Sequence, residues 1–336
     1  MTDLHKNNPL RIHTADTVGE PLVWKPSQSK IASHLDSKPT SRTLTETLNI
    51  RLPSPIQTIR NSIIQKAGVT LDIKRDDLIH PIISGNKWRK LQGLVSQIIN
   101  QNTIKIATMG GRYSNYLHAL AYASHQFNWQ CDFYVRGYPQ QVLTPTLKDI
   151  TQWGCQIHFV DRQTFKAMRH KPPRLDEPAL WLPEGGLNPI SLQGFAQIFN
   201  ELETVYDTII IASATGTSVA GLVKGCNDAG LKTKIIGISV LNNHSEQLQN
   251  ITDLLSNPSP NWKLLAGYEF GGFAKSKPEL SQFIEQFEQE FGLPLESLYS
   301  GKSFYATLDL ISKGYFPTQS RILLIHCGGL QGKRKP

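Results

Sequence analysis

In the stretch SGNKWRKLQGL, Lys87 follows a Gly-Asn pair and opens a segment with helical spacing. A cation at the N-terminal mouth of a helix faces the positive end of the macrodipole, which disfavours it by about 0.3–1 kcal/mol when exposed. Two readings stand: Lys87 is solvated, or it is buried with a depressed pKa and serves as an amine nucleophile. A second stretch, ASATGTSVAGLVKG, runs from an apolar strand through Ala214, Thr215, Gly216, Thr217 and Ser218 into a helix. The backbone N–H groups of such a turn, backed by a helix N-terminus, can cradle an anion such as phosphate, and the hydroxyls add donors. An ordinary strand-to-helix turn with a capping hydroxyl uses the same residue types. A third stretch, TMGGRYSN, ends a strand in glycines that let a ligand approach the backbone, then sets Ser114 and Asn115 where a helix begins. The tempting SGKS at 300–303 is not a nucleotide-binding loop, because Glu296 stands where that motif needs glycine.

The elements that carry these stretches alternate. Strands are predicted over 69–77, 104–111, 131–137, 156–160, 179–186, 208–216, 234–240 and 321–329. Helices are predicted over 87–100, from Ser114, over 144–153 and over 190–206. Alternating strands and helices imply parallel sheets with right-handed crossovers, in which ligands bind at the carboxyl ends of strands. Residues 1–50 are polar, weakly periodic and read as an N-terminal extension. The chain of 336 residues contains no run of eighteen apolar residues and no apolar signal core, so a cytoplasmic protein with no membrane partner is expected. The four cysteines lack metal-ligand spacing, which argues against a structural zinc and for small buried hydrophobes. Net charge is +8, but apart from the C-terminal GKRKP the basic residues are dispersed, which argues against nucleic-acid binding.

An amine nucleophile, a phosphate cradle and polar ring contacts are together what pyridoxal phosphate requires. The segment IKRDDLIHPIISGNKWRKL resembles the lysine segment of the 1-aminocyclopropane-1-carboxylate deaminase and D-cysteine desulfhydrase family. GGRYSN, LPEGGLNP, SATGTSVAGLVKG, LYSGKS and IHCGG follow in the family's order across roughly 52–330. The resemblance implies a pyridoxal-phosphate enzyme of the tryptophan-synthase-β fold type: an α/β protein of two open twisted parallel-sheet domains, usually a homodimer. The implied division is a large cofactor-binding domain over 51–89 plus 186–336 and a smaller α/β domain over 90–185. Carried over by motif, Lys87 would bond to the cofactor's aldehyde carbon. Lys90 would reach the phosphate with Ala214, Thr215, Gly216, Thr217 and Ser218. Asn115 would hydrogen-bond the cofactor's phenolic oxygen, Ser114 would face the substrate, and Tyr299 would be the catalytic tyrosine. No metal is implied.

The chain departs from the family pattern in three places. Ser300 stands where the residue meeting the pyridine nitrogen is expected; deaminases that open the cyclopropane ring carry glutamate there and desulfhydrases a hydroxyl. A neutral hydroxyl gives a shallower electron sink, which favours β-elimination over ring opening. Phe273 replaces a second tyrosine, and Tyr268 lies near it in sequence. Arg112, Tyr113 and Tyr116 alter the loop expected to hold the substrate carboxylate. The expected activity is β-elimination from D-cysteine or a related β-substituted alanine, giving pyruvate and ammonia. The alternatives are a 1-aminocyclopropane-1-carboxylate deaminase giving 2-oxobutyrate, and a catalytically impaired cofactor-binding protein of the same fold.

Overall fold

The computed structural model describes residues 41–100, 105–175, 179–255, 259–272 and 275–334. Its first elements are α1 (Ser41–Thr47), β1 (Ile56–Ile59), α2 (Ser62–Ala67), β2 (Thr70–Lys74) and α3 (Asn86–Asn100). There follow β3 (Lys105–Gly110), α4 (Asn115–Phe127), β4 (Gln130–Arg136), α5 (Pro145–Gln152), β5 (Gln156–Val160), α6 (Arg162–Met168) and β6 (Leu180–Leu182). The chain continues through α7 (Gln193–Asn200), β7 (Thr208–Ser213), α8 (Thr217–Asp228), β8 (Lys234–Ser239), α9 (His244–Leu254) and β9 (Trp262–Leu265). It closes with α10 (Pro278–Phe291), α11 (Ser300–Ser312) and β10 (Arg321–Ile325).

The strands form two sheets, ordered β1-β2-β10-β7-β8-β9 and β5-β4-β3-β6. All pairs are parallel except β1 with β2, where Ile56 lies opposite Lys74. This antiparallel edge adjoins the parallel strands that the sequence pattern predicts. The link from Ile59 to Thr70 holds only the short helix α2, and a parallel crossover needs roughly a dozen residues or more. Strands covered on both faces read as continuous apolar runs, and β7, TIIIAS, is buried throughout. The predicted strands run further into their glycine turns than the structure does: β3 and β10 stop before the residues that line the cavity described below, whereas β7 reaches its wall with Ala212 and Ser213. Among the described residues no helix is long and apolar enough to cross a membrane.

Helix α3 serves both sheets because its sequence presents three different faces. Trp88, Leu91, Leu94, Val95 and Ile98 recur at helical spacing and are buried in the core of the four-stranded sheet. Gly93 and Arg89 turn toward α7 instead: a Cβ on Gly194 would stand 2.1 Å from the Arg89 carbonyl oxygen, so the two helices meet backbone to backbone. Lys87 and Lys90, three residues apart and hence on one side, remain for the space between the sheets. Leu44 and Leu48 also enter the core of the small sheet. Packed structure therefore begins upstream of residue 50, where the sequence suggested a polar extension. The apolar pair seats α1 against that core, and residues 1–40 lie outside the described residues.

The KRDD segment at 74–77 explains how the start of α3 is held. The Arg89 guanidinium is fully buried and meets Asp76 at 3.0 and 3.1 Å and Glu201 at 2.5 and 2.9 Å. Lys74 Nζ donates to the same Glu201 carboxylate at 2.6 Å and to the Ser54 carbonyl at 2.7 Å, while Ser54 Oγ donates to Asp76 at 2.6 Å. Two cations and two carboxylates thus tie β2, α3 and the end of α7 into one neutral cluster. Removing one member of a buried, hydrogen-bonded pair strands its partner's charge, at a cost of about 3–5 kcal/mol. Arg89→Met is therefore expected to lower unfolding free energy in denaturant by about that amount. Lys224→Ala, which breaks the exposed Lys224–Asp228 pair, is expected to cost under about 0.5 kcal/mol. Similar losses for the two would contradict this account of the cluster.

Candidate active site

A cavity of about 210 Å³ opens between the two sheets, at the carboxyl ends of strands from both. Three helix N-termini reach it: α3 through Asn86, Lys87 and Lys90, α4 through Ser114, Asn115 and Tyr116, and α8 through Gly216 and Ser218. Each brings N–H groups without intrahelical acceptors and the positive end of a macrodipole. The wall therefore favours an anion before any side-chain charge is counted.

The Gly-Asn pair before Lys87 has a steric role. Gly85 has φ +63°, and a Cβ there would lie 1.9 Å from the Cys327 carbonyl oxygen. Only glycine lets the loop before α3 lie against the loop after β10. Lys87 then donates from Nζ to Asn86 Oδ1, with the Cys327 carbonyl at 3.5 Å, and lies 5.9 Å from the centroid of the Tyr299 ring. Asn86 Nδ2 in turn donates to Ser218 Oγ at 2.9 Å, linking the lysine to the start of α8. Desolvation lowers the Lys87 pKa, although Cys327 and Glu296 act in the opposite direction. Lys90 donates to the Gly185 carbonyl at 2.8 Å, and its pKa is lowered to about 7 by desolvation and then by Lys87.

The turn after β7 has the geometry of a cradle. Gly216 has φ +91°, and a Cβ there would meet Ile251 at 2.8 Å and the Gln247 carbonyl at 3.0 Å, so this turn also requires glycine. Asn250 Nδ2 donates to the Thr215 carbonyl at 3.0 Å, and Asn243 Nδ2 approaches the Ala214 carbonyl at 3.5 Å. N–H and C=O point oppositely across a trans peptide, so the N–H groups of Thr215 and Gly216 face away from α9. Ala214, Thr215, Gly216 and Ser218 line the cavity. Thr217 is buried behind them, its hydroxyl 3.0 Å from that of Thr215.

On the opposite wall, Ser114 caps α4 by accepting from the Leu117 N–H at 3.2 Å, and Asn115 is buried beside it. Tyr299 lines the cavity as well, and burial, followed by the nearby Glu296 and Glu184 carboxylates, pushes its phenol well above the usual range.

Ser300 departs from the role that the sequence resemblance assigns it. Glu296 caps α11: its carboxylate accepts from the N–H groups of Leu298, Tyr299 and Ser300. The Ser300 hydroxyl is drawn into the same cap, accepting from the Glu296 N–H at 2.9 Å, and it does not line the cavity. Cys327 does line it, so that cysteine is more than a core hydrophobe; burial pushes its thiol up to about 11 and keeps it neutral. A residue directly beyond a strand's carboxyl end was the available signal. Arg136 and Glu184, at the ends of β4 and β6, carried the same signal, and Phe165 and Arg169 come from α6 and its end; the sequence reading singled out none of the four. Both guanidinium groups lie over the Phe165 ring, at 5.9 and 5.6 Å, and Arg169 also pairs with Glu184 at 2.7 Å and Glu246 at 3.3 Å. Of the altered loop, Tyr116 lines the cavity, whereas Arg112 turns to Gln141 and the Val142 carbonyl. Tyr268 donates to Asp309 at 2.7 Å and stands outside the cavity wall, and Phe273 lies outside the described residues.

A family model described as pyridoxal-phosphate dependent enzyme matches residues 49–328. A protein of Pyrococcus horikoshii, provisionally named a 1-aminocyclopropane-1-carboxylate deaminase, is 27% identical over 83% of this chain and 90% of its own length. The mitochondrial bifunctional D-cysteine desulfhydrase/1-aminocyclopropane-1-carboxylate deaminase of Arabidopsis thaliana is 27% identical over 79% of this chain and 73% of its own. A crystal structure of a 1-aminocyclopropane-1-carboxylate deaminase homologue superposes with a TM-score of 0.72 at 25% identity, covering 86% of this chain and 95% of that one.

The lowered pKa of Lys90 makes anion binding pH-dependent in a definite direction. Above about pH 7 the free amine is largely neutral, and a bound anion restores its proton, so binding takes up protons. The affinity of cofactor-free protein for inorganic sulfate, which does not titrate here, is expected to fall by up to about tenfold per pH unit from pH 7 upward. Lys90→Gln should flatten that slope in calorimetric titrations. An affinity that rises or stays level over this range would contradict the assignment.

Proposed function

The chain belongs to the family of pyridoxal-phosphate dependent enzymes, and from that premise we propose that it is a lyase acting on small amino acids. The reaction is elimination of a β substituent from D-cysteine or a related β-substituted alanine. With one water consumed, HX, pyruvate and ammonia leave. The observation that carries this reading is Lys87: an amine at the cavity wall, held by Asn86 and the Cys327 carbonyl, and biased toward its neutral form beside an anion cradle.

The residues present fit the cofactor. Asn115 Nδ2 is a buried donor without a partner among the described residues, suited to an oxygen anion of the ligand. A Cβ at Gly216 would disrupt the turn whose N–H groups are suited to a phosphate. Lys90, Thr215, Ser218 and the first turn of α8 would hold that phosphate, and Lys87 would bond to the aldehyde carbon. Bound pyridoxal phosphate supplies an electron sink conjugated to the substrate's α-carbon. Ser114 and the unpaired N–H groups at the start of α4 take the substrate carboxylate. Lys87, uncharged, removes the proton from Cα. Tyr299, kept protonated by burial, is assigned the proton that leaves with the β substituent.

Elimination is favoured over ring opening on grounds different from the serine at 300. Glu184 is the carboxylate among the lining residues, and it is already paired with Arg169; Cys327 offers a neutral thiol. Neither supplies the fixed negative charge that would deepen the sink. The names carried by the relatives favour a second reading, 1-aminocyclopropane-1-carboxylate deamination to 2-oxobutyrate.

Product analysis separates the two. Incubation with D- and L-cysteine, β-chloroalanine and 1-aminocyclopropane-1-carboxylate is expected to yield pyruvate from the first group and little 2-oxobutyrate from the last. Comparable 2-oxobutyrate formation would replace the elimination reading with the second. Lys87→Ala should remove the visible absorbance of bound cofactor and lower kcat by at least about a thousandfold. A variant retaining both would remove Lys87 from the mechanism.

A further inference from the structure

The basic C-terminal stretch, conspicuous in the sequence only for its charge, crosses from one sheet's layer to the other. Lys333 pairs with Glu288 of α10, on the large-sheet side. Arg334 pairs with Asp149 of α5, on the small-sheet side, at 2.7 Å, and Asp149 also meets His118 of α4 at 2.7 Å. Between β10 and these two ion pairs, Gln331 Nε2 donates to Asn115 Oδ1 at 2.5 Å. Neighbouring residues of one short segment thus grip both layers and touch a residue of the cavity wall.

That last contact is directional. A carboxamide has one accepting oxygen and one donating nitrogen. Because Gln331 offers its nitrogen, Asn115 must answer with its oxygen. Asn115 Nδ2 is then the polar atom left over, buried and without a partner among the described residues. Were the Asn115 amide reversed, its oxygen would occupy that place and repel the electron-rich oxygens of a ligand.

We propose that Gln331 is a positioning residue which fixes the orientation of the Asn115 amide, so that the cavity wall presents a donor to the cofactor's phenolic oxygen. The proposal rests on the pyridoxal-phosphate reading of the cavity but not on any particular substrate. The ion pairs of Lys333 and Arg334 keep the segment in place, and Gln331 sets the polarity of the contact.

Two substitutions test it, read by titrating the full-length chain with pyridoxal phosphate and following absorbance and fluorescence. In Gln331→Glu the new side chain can only accept at neutral pH, so Asn115 turns to donate to it and exposes its oxygen to the ligand. Cofactor affinity is expected to fall about 10- to 100-fold, with a shifted absorbance maximum of the bound cofactor at fixed pH. In Gln331→Leu the amide is released but not reversed, and the loss should be only about two- to tenfold, with the maximum nearly unchanged. The melting temperature of the cofactor-free protein should be similar for both variants. Glu and Leu variants that bind alike, or that lose affinity in step with melting temperature, would overturn the proposal and leave Gln331 a tether. Binding is read without turnover, so failure of the lyase reading leaves the result interpretable. A wild-type chain that does not bind pyridoxal phosphate would overturn both.

Discussion

Three cations within four residues, Lys87, Arg89 and Lys90, open helix α3 where the macrodipole is least hospitable to them, and they meet different fates. Arg89 is neutralised by Asp76 and Glu201 inside the protein. Among the described residues no carboxylate is a hydrogen-bond partner of Lys87 or Lys90, which face the cavity, and desolvation lowers both pKa values. Two poorly compensated amines beside three helix N-termini form a surface poor in negative charge, because Glu184, the carboxylate among the lining residues, is paired with Arg169. On the proposed reading a phosphate would supply that charge for Lys90, and an aldehyde would take up the neutral amine of Lys87.

The fold makes this arrangement affordable by stiffening everything around it. The Lys74–Glu201–Arg89–Asp76 cluster and the glycine-mediated approach of α7 anchor the outer side of α3, while its apolar face is sealed into the small-sheet core. The helix is therefore fixed to both layers, and the amines between them have little freedom to reach solvent. The strands contribute by ending where they do: β3, β4, β6, β7 and β10 all release the chain at the cavity, so residues at or just past their carboxyl ends become its wall.

Features that depend on local pattern were legible in the sequence. The helical spacing from Trp88 to Ile98, the apolar strand before the 214–218 turn, and the ordered motifs together indicated the α/β fold, the family and pyridoxal phosphate. Lys87, Lys90, Ser114, Asn115, Tyr299 and four residues of the 214–218 turn share one cavity. What failed to show was decided by long-range geometry. Ser300 has the right residue type, but its hydroxyl is claimed by the Glu296 cap four residues upstream. Cys327 reads as a core residue by type, and its place beyond the carboxyl end of β10 was the one local sign that it could also face the cavity. Gln331 sits in a basic tail whose meaning depends on Asn115, 216 residues away in sequence. The edge strand β1 and helix α1 are short, and their few apolar residues carry no strong period.

The central claim, that the amine of Lys87 carries the cofactor, is tested most directly by locating the bond itself. Wild-type protein loaded with pyridoxal phosphate is reduced with borohydride, digested, and mapped by mass spectrometry. The account predicts a phosphopyridoxyl adduct on the peptide bearing Lys87 and none on Lys90. An adduct confined to Lys90 or another lysine, or none at all, would contradict it.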